Sequence, residues 1–170
     1  MNDAGMILLV EDREEDVILI QKAFERGKIR NPLQIVRNGE EAINYLSGIG
    51  RFSDRLRYPF PVLVLLDLKM PRIDGFEVLR WIKSQPCFSA LRVVVLTSSE
   101  DIRDVNLAYK LGATSFLVKP LDFNSTVAMT ETILDYWLGI NMASGPPRLA
   151  SPPPPKPQLE DTSSESTTDP

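Results

Sequence analysis

The sequence predicts an α/β fold in which five parallel strands form a doubly wound sheet flanked by five helices. Three observations support this. Between Met6 and Gly139, short apolar runs alternate five times with longer amphipathic ones, the signature of βαβ units. Four of the apolar runs carry three or more Val, Ile or Leu nearly consecutively, as strands buried on both faces do. The length of 170 residues, 43% of them hydrophobic and 25% charged, suits one core-bearing domain with a tail.

Taken in order, Met6–Val10 is the first expected strand, followed by a helix over Glu14–Arg26 that places Val17, Ile20 and Phe24 on one face. Leu33–Arg37 is the next strand; it is more polar than the others, which makes it the candidate for a sheet edge, and a helix over Gly39–Leu46 follows. The stretch from Leu46 to Pro61 holds two glycines, two prolines and alternating arginines and aromatics, and reads as a surface loop. Strands at Pro61–Leu66, Leu91–Leu96 and Thr114–Val118 then lead into helices at Gly75–Ser84, Asp101–Leu111 and Asp122–Leu138. Gly27 and Gly112 stand where a left-handed C-terminal cap is needed, and Asp101 and Asp122 where a carboxylate helps a helix begin.

Composition narrows the function classes. A formal net charge of −4 without a Lys/Arg cluster argues against direct DNA binding, which needs a concentrated basic face. Cys87 is the only cysteine, so no intrachain disulfide and no cysteine-built metal site can form, and a reducing cytoplasm fits. There is no apolar run of about 18 residues, and Met1–Val10 is too short and lacks the basic start of a secretory signal. The expectation is a cytoplasmic protein with no membrane attachment. A folded unit over residues 1–142 is expected to give way to a disordered Pro/Ser-rich acidic tail at 143–170, which holds eight of the fourteen prolines. The run Pro152–Pro155 favours a polyproline II helix, either read by a proline-binding module or part of a merely solubilising tail.

Three apolar strands end in acids or hydroxyls: Val10-Glu11-Asp12, Leu66-Asp67 and Leu96-Thr97; the last strand runs into Lys119-Pro120. In open α/β sheets ligands bind beyond the carboxyl ends of the strands, so these residues share the rim where chemistry takes place. Two carboxylates ~4 Å apart repel by about 4 kcal/mol at an effective dielectric near 20, so three together call for a cation or a shared proton. Few protein oxygens, with room for water and phosphate, suit Mg2+ better than Ca2+. Each residue alone has a plainer explanation, as a helix cap, a β-former or a solvated charge. The ordered set of an acidic pair, an Asp, a Thr thirty residues on and a Lys twenty-two beyond that is much harder to explain that way.

This set resembles the receiver domain of two-component response regulators, through Glu11-Asp12, Leu66-Asp67-Leu68-Lys69-Met70-Pro71, Ile73-Asp74-Gly75, Thr97-Ser98 and Lys119-Pro120. The long loop before Pro61, Thr97-Ser98-Ser99 and Asp135-Tyr136-Trp137-Leu138 are most similar to the single-domain receivers that partner bacterial and cyanobacterial phytochrome kinases. The resemblance implies a flavodoxin-like sheet of order 2-1-3-4-5. It implies that Asp67 takes a phosphoryl group from the phosphohistidine of a sensor histidine kinase, for instance a bacteriophytochrome. Asp12, Asp67 and the main-chain carbonyl of Lys69 would ligate Mg2+, Glu11 would hold a metal-bound water, and Thr97 and Lys119 would each bind a phosphoryl oxygen.

Further implications follow from the same resemblance. Thr97 and Phe116 would act as the switch, although Phe116 also reads as an ordinary core aromatic. A cis bond before Pro120 would turn Lys119 into the site. Lys69 departs from the family's commonest pattern, which has a smaller polar residue there; its ammonium would screen the phosphoryl group from water and lengthen its life, which Lys69→Asn would reverse. The protein is then no conventional enzyme but catalyses its own Mg2+-dependent phosphorylation and dephosphorylation. It would signal through the surface of the fourth helix, fifth strand and fifth helix, where Val105, Tyr109, Val127 and Trp137 either support a homodimer or belong to the core. Two other classes compete: a phosphorylation-independent docking or dimerisation module, and a hydrolase of the haloacid-dehalogenase type. The hydrolase would need a second Asp where Lys69 stands.

Overall fold

The computed structural model describes residues 5–137. It holds the strands β1 (Ile7–Val10), β2 (Leu33–Val36), β3 (Leu63–Leu66), β4 (Arg92–Thr97) and β5 (Ser115–Val118). Alternating with them are the helices α1 (Glu14–Arg26), α2 (Gly39–Ser47), α3 (Gly75–Ser84), α4 (Ile102–Lys110) and α5 (Phe123–Trp137). All neighbouring strands pair in parallel, in the order β2-β1-β3-β4-β5. The fold expected from the sequence is thus the one observed, with the more polar β2 at an edge. The expected boundary at 142, the tail over 143–170 and Leu138 lie outside the described residues.

Side-chain alternation along the strands divides the core into two layers. Leu8, Val10, Val64, Leu66, Val93 and Val95 face α2, α3 and α4, where Tyr45, Leu46, Val78, Leu79, Ile82 and Ala108 meet them. Ile7, Leu9, Leu63, Leu65, Val94 and Leu96 face the other way, onto Val17, Ile20 and Phe24 of α1 and Ile133 and Leu134 of α5. Each large aliphatic side chain removed from water contributes ~1.5–3 kcal/mol, so the central strands anchor the whole sheet. A charge at Leu65, which is 1% exposed, would have no partner there and would break the α1–α5 layer.

Helix ends follow local chemistry. Asp74 caps α3 with a reciprocal box: its carboxylate accepts from the Glu77 N–H at 2.8 Å, and the Glu77 carboxylate accepts from the Asp74 N–H at 3.0 Å. Asp101 accepts from the Arg103 N–H, and Asp122 from the Ser125 N–H, so both stand at helix starts as expected. Gly112 is left-handed, with φ of 94°. Gly27 is not: its φ is −73°, and the chain turns left-handed at Lys28, with φ of 52°. Here the stop is set by Ile29, which packs onto the core and donates to the Phe24 carbonyl. Gly27 serves close approach instead, since a Cβ there would lie 3.0 Å from Glu131 Oε1 of α5.

The stretch from Leu46 to Pro61 is not simply a surface loop. It carries a 3-10 turn, Gly50–Phe52, whose Phe52 is 3% exposed and packs edge-on against Tyr45 and Tyr58. Arg55 donates to the carbonyls of Tyr45 and Leu46 at 2.8 and 2.7 Å, satisfying the C-terminal end of α2. The Tyr45 hydroxyl donates to the Pro59 carbonyl at 2.7 Å. The arginines of this segment cover the aromatics, which is why the pattern reads as polar.

Candidate functional site

The strand order reverses between β1 and β3, and the crevice beyond their carboxyl ends is the natural ligand site of such a sheet. Pairing of Val10 with Leu66 fixes the register, so Glu11 and Asp67 emerge side by side. The Asp67 N–H donates to the Val10 carbonyl at 3.0 Å, and the Glu11 N–H to the Val36 carbonyl at 3.1 Å. On the other flank Thr97 pairs with Val118, and the Lys119 N–H donates to the Thr97 carbonyl at 2.8 Å. Gly75 lets α3 start against this rim: its N–H donates to the Leu68 carbonyl, and a Cβ would fall 2.2 Å from the Asp67 carbonyl oxygen.

Carboxylate oxygens of Glu11, Asp12 and Asp67 lie within 4.8 Å of one another. Glu11 and Asp67 are 1% and 4% exposed. The Lys119 amine reaches into this group, 2.5 Å from Glu11 Oε2, 2.9 Å from Asp16 Oδ2 and 3.3 Å from Asp67 Oδ2. Lys119 and Glu11 are 108 positions apart in the chain. Burial pushes the Glu11 carboxyl above its ordinary value, and the hydrogen bond and charge of Lys119 only partly oppose this. Burial alone would lower the Lys119 amine. Its hydrogen bond to Glu11 and the charges of Asp67 and Glu11 outweigh that and hold it above its ordinary value.

One ammonium among four carboxylates leaves an excess of negative charge. Asp12 Oδ1 is buried and accepts no hydrogen bond. A hard divalent cation satisfies both facts with oxygen ligands alone, so the residues present fit Mg2+. The main-chain N–H of Lys69 donates to Asp67 Oδ1 at 3.3 Å, while its side chain is exposed and its positive charge acts on Asp101.

Thr97 is fully buried, and its Oγ1 accepts from the Ser99 N–H at 3.3 Å. The Ser99 hydroxyl donates to Asp104 Oδ2 at 2.5 Å, linking the strand end to α4. Phe116 pairs with Val95 in β4, on the same sheet face as Thr97, and is partly buried against the core. Its N–H donates to the Tyr109 hydroxyl at 3.2 Å. The Lys119–Pro120 bond is trans, since there is no cis peptide among the described residues; this corrects the cis expectation. Lys119 enters the site without it, carried by the end of β5 and steered by the carboxylates facing it. Asp16 was missed in the sequence. An acid in the first turn of a helix reads as a partner of the helix dipole, and its only signal was its place beside Val17, on the rim of the inward face.

A family model for the response regulator receiver domain matches residues 7–131. The chain is 41% identical over 144 residues to the probable methanogenesis regulatory protein FilR2 of Methanothrix harundinacea, covering 85% of this chain and 90% of that one. The phosphorylated cyanobacterial phytochrome response regulator RcpA superposes with a TM-score of 0.74 at 33% identity, over 85% of this chain and 99% of that one. The Mn(2+)-bound form of response regulator Rcp1, a Synechocystis protein, does so with a TM-score of 0.72 at 35% identity, over 84% and 99%.

Proposed function

The chain belongs to the response regulator receiver domain family of two-component signalling, and from that premise we propose that Asp67 is its phosphoryl acceptor. The observation that carries this reading is the setting of Asp67: buried, 3.3 Å from the Lys119 amine and grouped with Glu11 and Asp12. An Asp67 oxygen attacks the phosphorus of a kinase phosphohistidine; the P–O bond forms as the P–N bond breaks and the histidine nitrogen leaves. Lys119 and Thr97 take phosphoryl oxygens. Asp12, Asp67 and the Lys69 carbonyl would hold Mg2+, with Glu11 placed to hold a water beside it. Bound there, Mg2+ neutralises charge gathering on the phosphoryl oxygens.

Similar structures are named as phytochrome and bacteriophytochrome response regulators, and we assign a sensor histidine kinase as the donor, with a bacteriophytochrome as the first candidate. Thr97 and Phe116 form the switch, read out on α4, β5 and α5. Ile102, Leu107 and Tyr109 of α4 and Val118 of β5 are exposed there, a face fit for a partner protein or a second copy. The Lys69 charge directed at Asp101 favours a role at the mouth of the site, and the long-lived phospho-form remains its expected effect. The receiver unit spans residues 1–142 with 143–170 as an appended tail. No described helix is long and apolar enough to cross a membrane, and a cytoplasmic site of action without direct DNA binding fits the charge balance.

Incubation with phosphoramidate and Mg2+ followed by intact mass measurement tests the reading. One phosphoryl addition is expected, absent in Asp67→Asn and in EDTA. A mass unchanged in the parent would leave the phosphorylation-independent docking module as the surviving reading.

A further inference from the structure

The Lys119 amine has three N–H donors and three carboxylate neighbours, and the three distances are unequal. Glu11 at 2.5 Å and Asp16 at 2.9 Å are as close as charge-assisted hydrogen bonds or closer, whereas Asp67 at 3.3 Å lies beyond that length. The amine is therefore held by Glu11 and Asp16 and stands off the carboxylate that has to react. Asp16 is on α1, a different element from the strand end that carries Asp67, so its pull on the amine is independent of the nucleophile. It is a partly buried group, 20% exposed, and among the described residues its only other ionic neighbour is the exposed Arg13, with Nε 4.0 Å away. A first-turn acid serving only the helix dipole would point to solvent, as Glu15 does.

We infer that Asp16 is a positioning residue for phosphoryl acceptance: its carboxylate holds the Lys119 amine off Asp67, leaving the nucleophilic oxygen free and the amine ready for a phosphoryl oxygen. The inference rests on Asp67 being the acceptor. With Asp16 neutralised, the amine keeps only Glu11 and Asp67 as ionic partners. It then closes onto Asp67, which ties up the attacking oxygen and places a positive charge against a carboxylate needed for the metal.

The experiment is a double-mutant cycle in the full chain, with Asp16→Asn and Lys119→Met alone and together, read by Mg2+ affinity and by the phosphoramidate rate at saturating Mg2+. In the parent, Asp16→Asn should slow phosphorylation roughly tenfold, the size usual for loss of an orienting outer partner. It should also weaken Mg2+ binding severalfold. In the Lys119→Met background the same substitution should change Mg2+ affinity less than twofold, because there is no amine to release. Asp16→Glu, whose extra methylene fits the small cavity lined by Asp16, Lys119, Leu96, Thr126 and Met129, should keep most of the parent rate. Equal weakening of Mg2+ binding with and without Lys119, or a parent-like rate in Asp16→Asn, overturns the inference. Mg2+ affinity is measurable even where phosphorylation is slow, so an inactive Lys119→Met leaves the cycle decisive. Absence of a mass gain in the parent, or its persistence in Asp67→Asn, would instead overturn the assignment of the acceptor.

Discussion

Replacing Lys119 by Met keeps most of the side-chain volume and removes the one ammonium among Glu11, Asp16 and Asp67. Lys119, Glu11, Asp16 and Asp67 are 14%, 1%, 20% and 4% exposed as side chains, so solvent screens the group little. Breaking a buried ion pair by deleting one partner costs ~3–5 kcal/mol, because the other charge remains buried. For a domain of this size each kcal/mol moves the midpoint by roughly 3–5 °C, so the variant should melt about 10–20 °C below the parent in EDTA. Saturating Mg2+ replaces the missing positive charge. At a hundredfold excess over its dissociation constant it returns ~2.7 kcal/mol, and more to the variant, which has no amine competing for the carboxylates. The assay is a pair of thermal melts, in EDTA and in Mg2+. A variant within 3 °C (about 1 kcal/mol) of the parent in EDTA, or an equal Mg2+ gain in both proteins, would refute the view that Lys119 and the cation neutralise the same charges.

Three further outcomes are expected. Gly75→Ala places a methyl 2.2 Å from the Asp67 carbonyl oxygen and 2.6 Å from Leu68 Cα, both backbone, and should cost ~3 kcal/mol or more in urea unfolding, with reduced Mg2+ affinity. Tyr45→Phe leaves the Pro59 carbonyl without its donor and should cost ~1–2 kcal/mol by the same measurement, without altering the mass gain with phosphoramidate proposed for Asp67. The Arg103 hydrogen bonds hold the Asp101 carboxyl down to about 2, so its contribution to folding is present above its ordinary value of 3.8 and is lost as pH falls through about 2. Carboxyl NMR titration should show that midpoint, and Arg103→Ala should move it back toward 3.8.

What the sequence made legible follows from which signals are local. The bounds of α1 and α3 match expectation to the residue, because amphipathic spacing and the Asp74-x-x-Glu77 box are read within one helix. Four of the five strands begin later than their apolar runs suggest, β2 alone starting at Leu33 as expected: Met6 and Pro61 are apolar but lie outside β1 and β3, and Pro61 has no N–H to give a ladder. The convergence of Glu11, Asp12, Asp67 and Lys119 was legible because strand ends in a parallel sheet share a rim. Asp16, Arg55 and the direction of the Lys69 charge were not, since each depends on which distant group a long or helix-borne side chain meets. The burial of Phe52 was hidden for the same reason: Arg51 lies over its ring, and Arg55 turns inward to cap the Tyr45 and Leu46 carbonyls.

The 108-residue separation between Glu11 and Lys119 has a consequence for synthesis. A chain emerging from the ribosome exposes Asp67 and its acidic neighbours before the lysine that completes the group, and closing a pairing over so long a loop carries a large entropy cost. The charge group is therefore complete only once β5 has been made and has paired with β4. A chain cut before β5 would keep the acidic cluster without its ammonium and β4 without one of its neighbours, so the last strand is needed for structure and for charge balance alike.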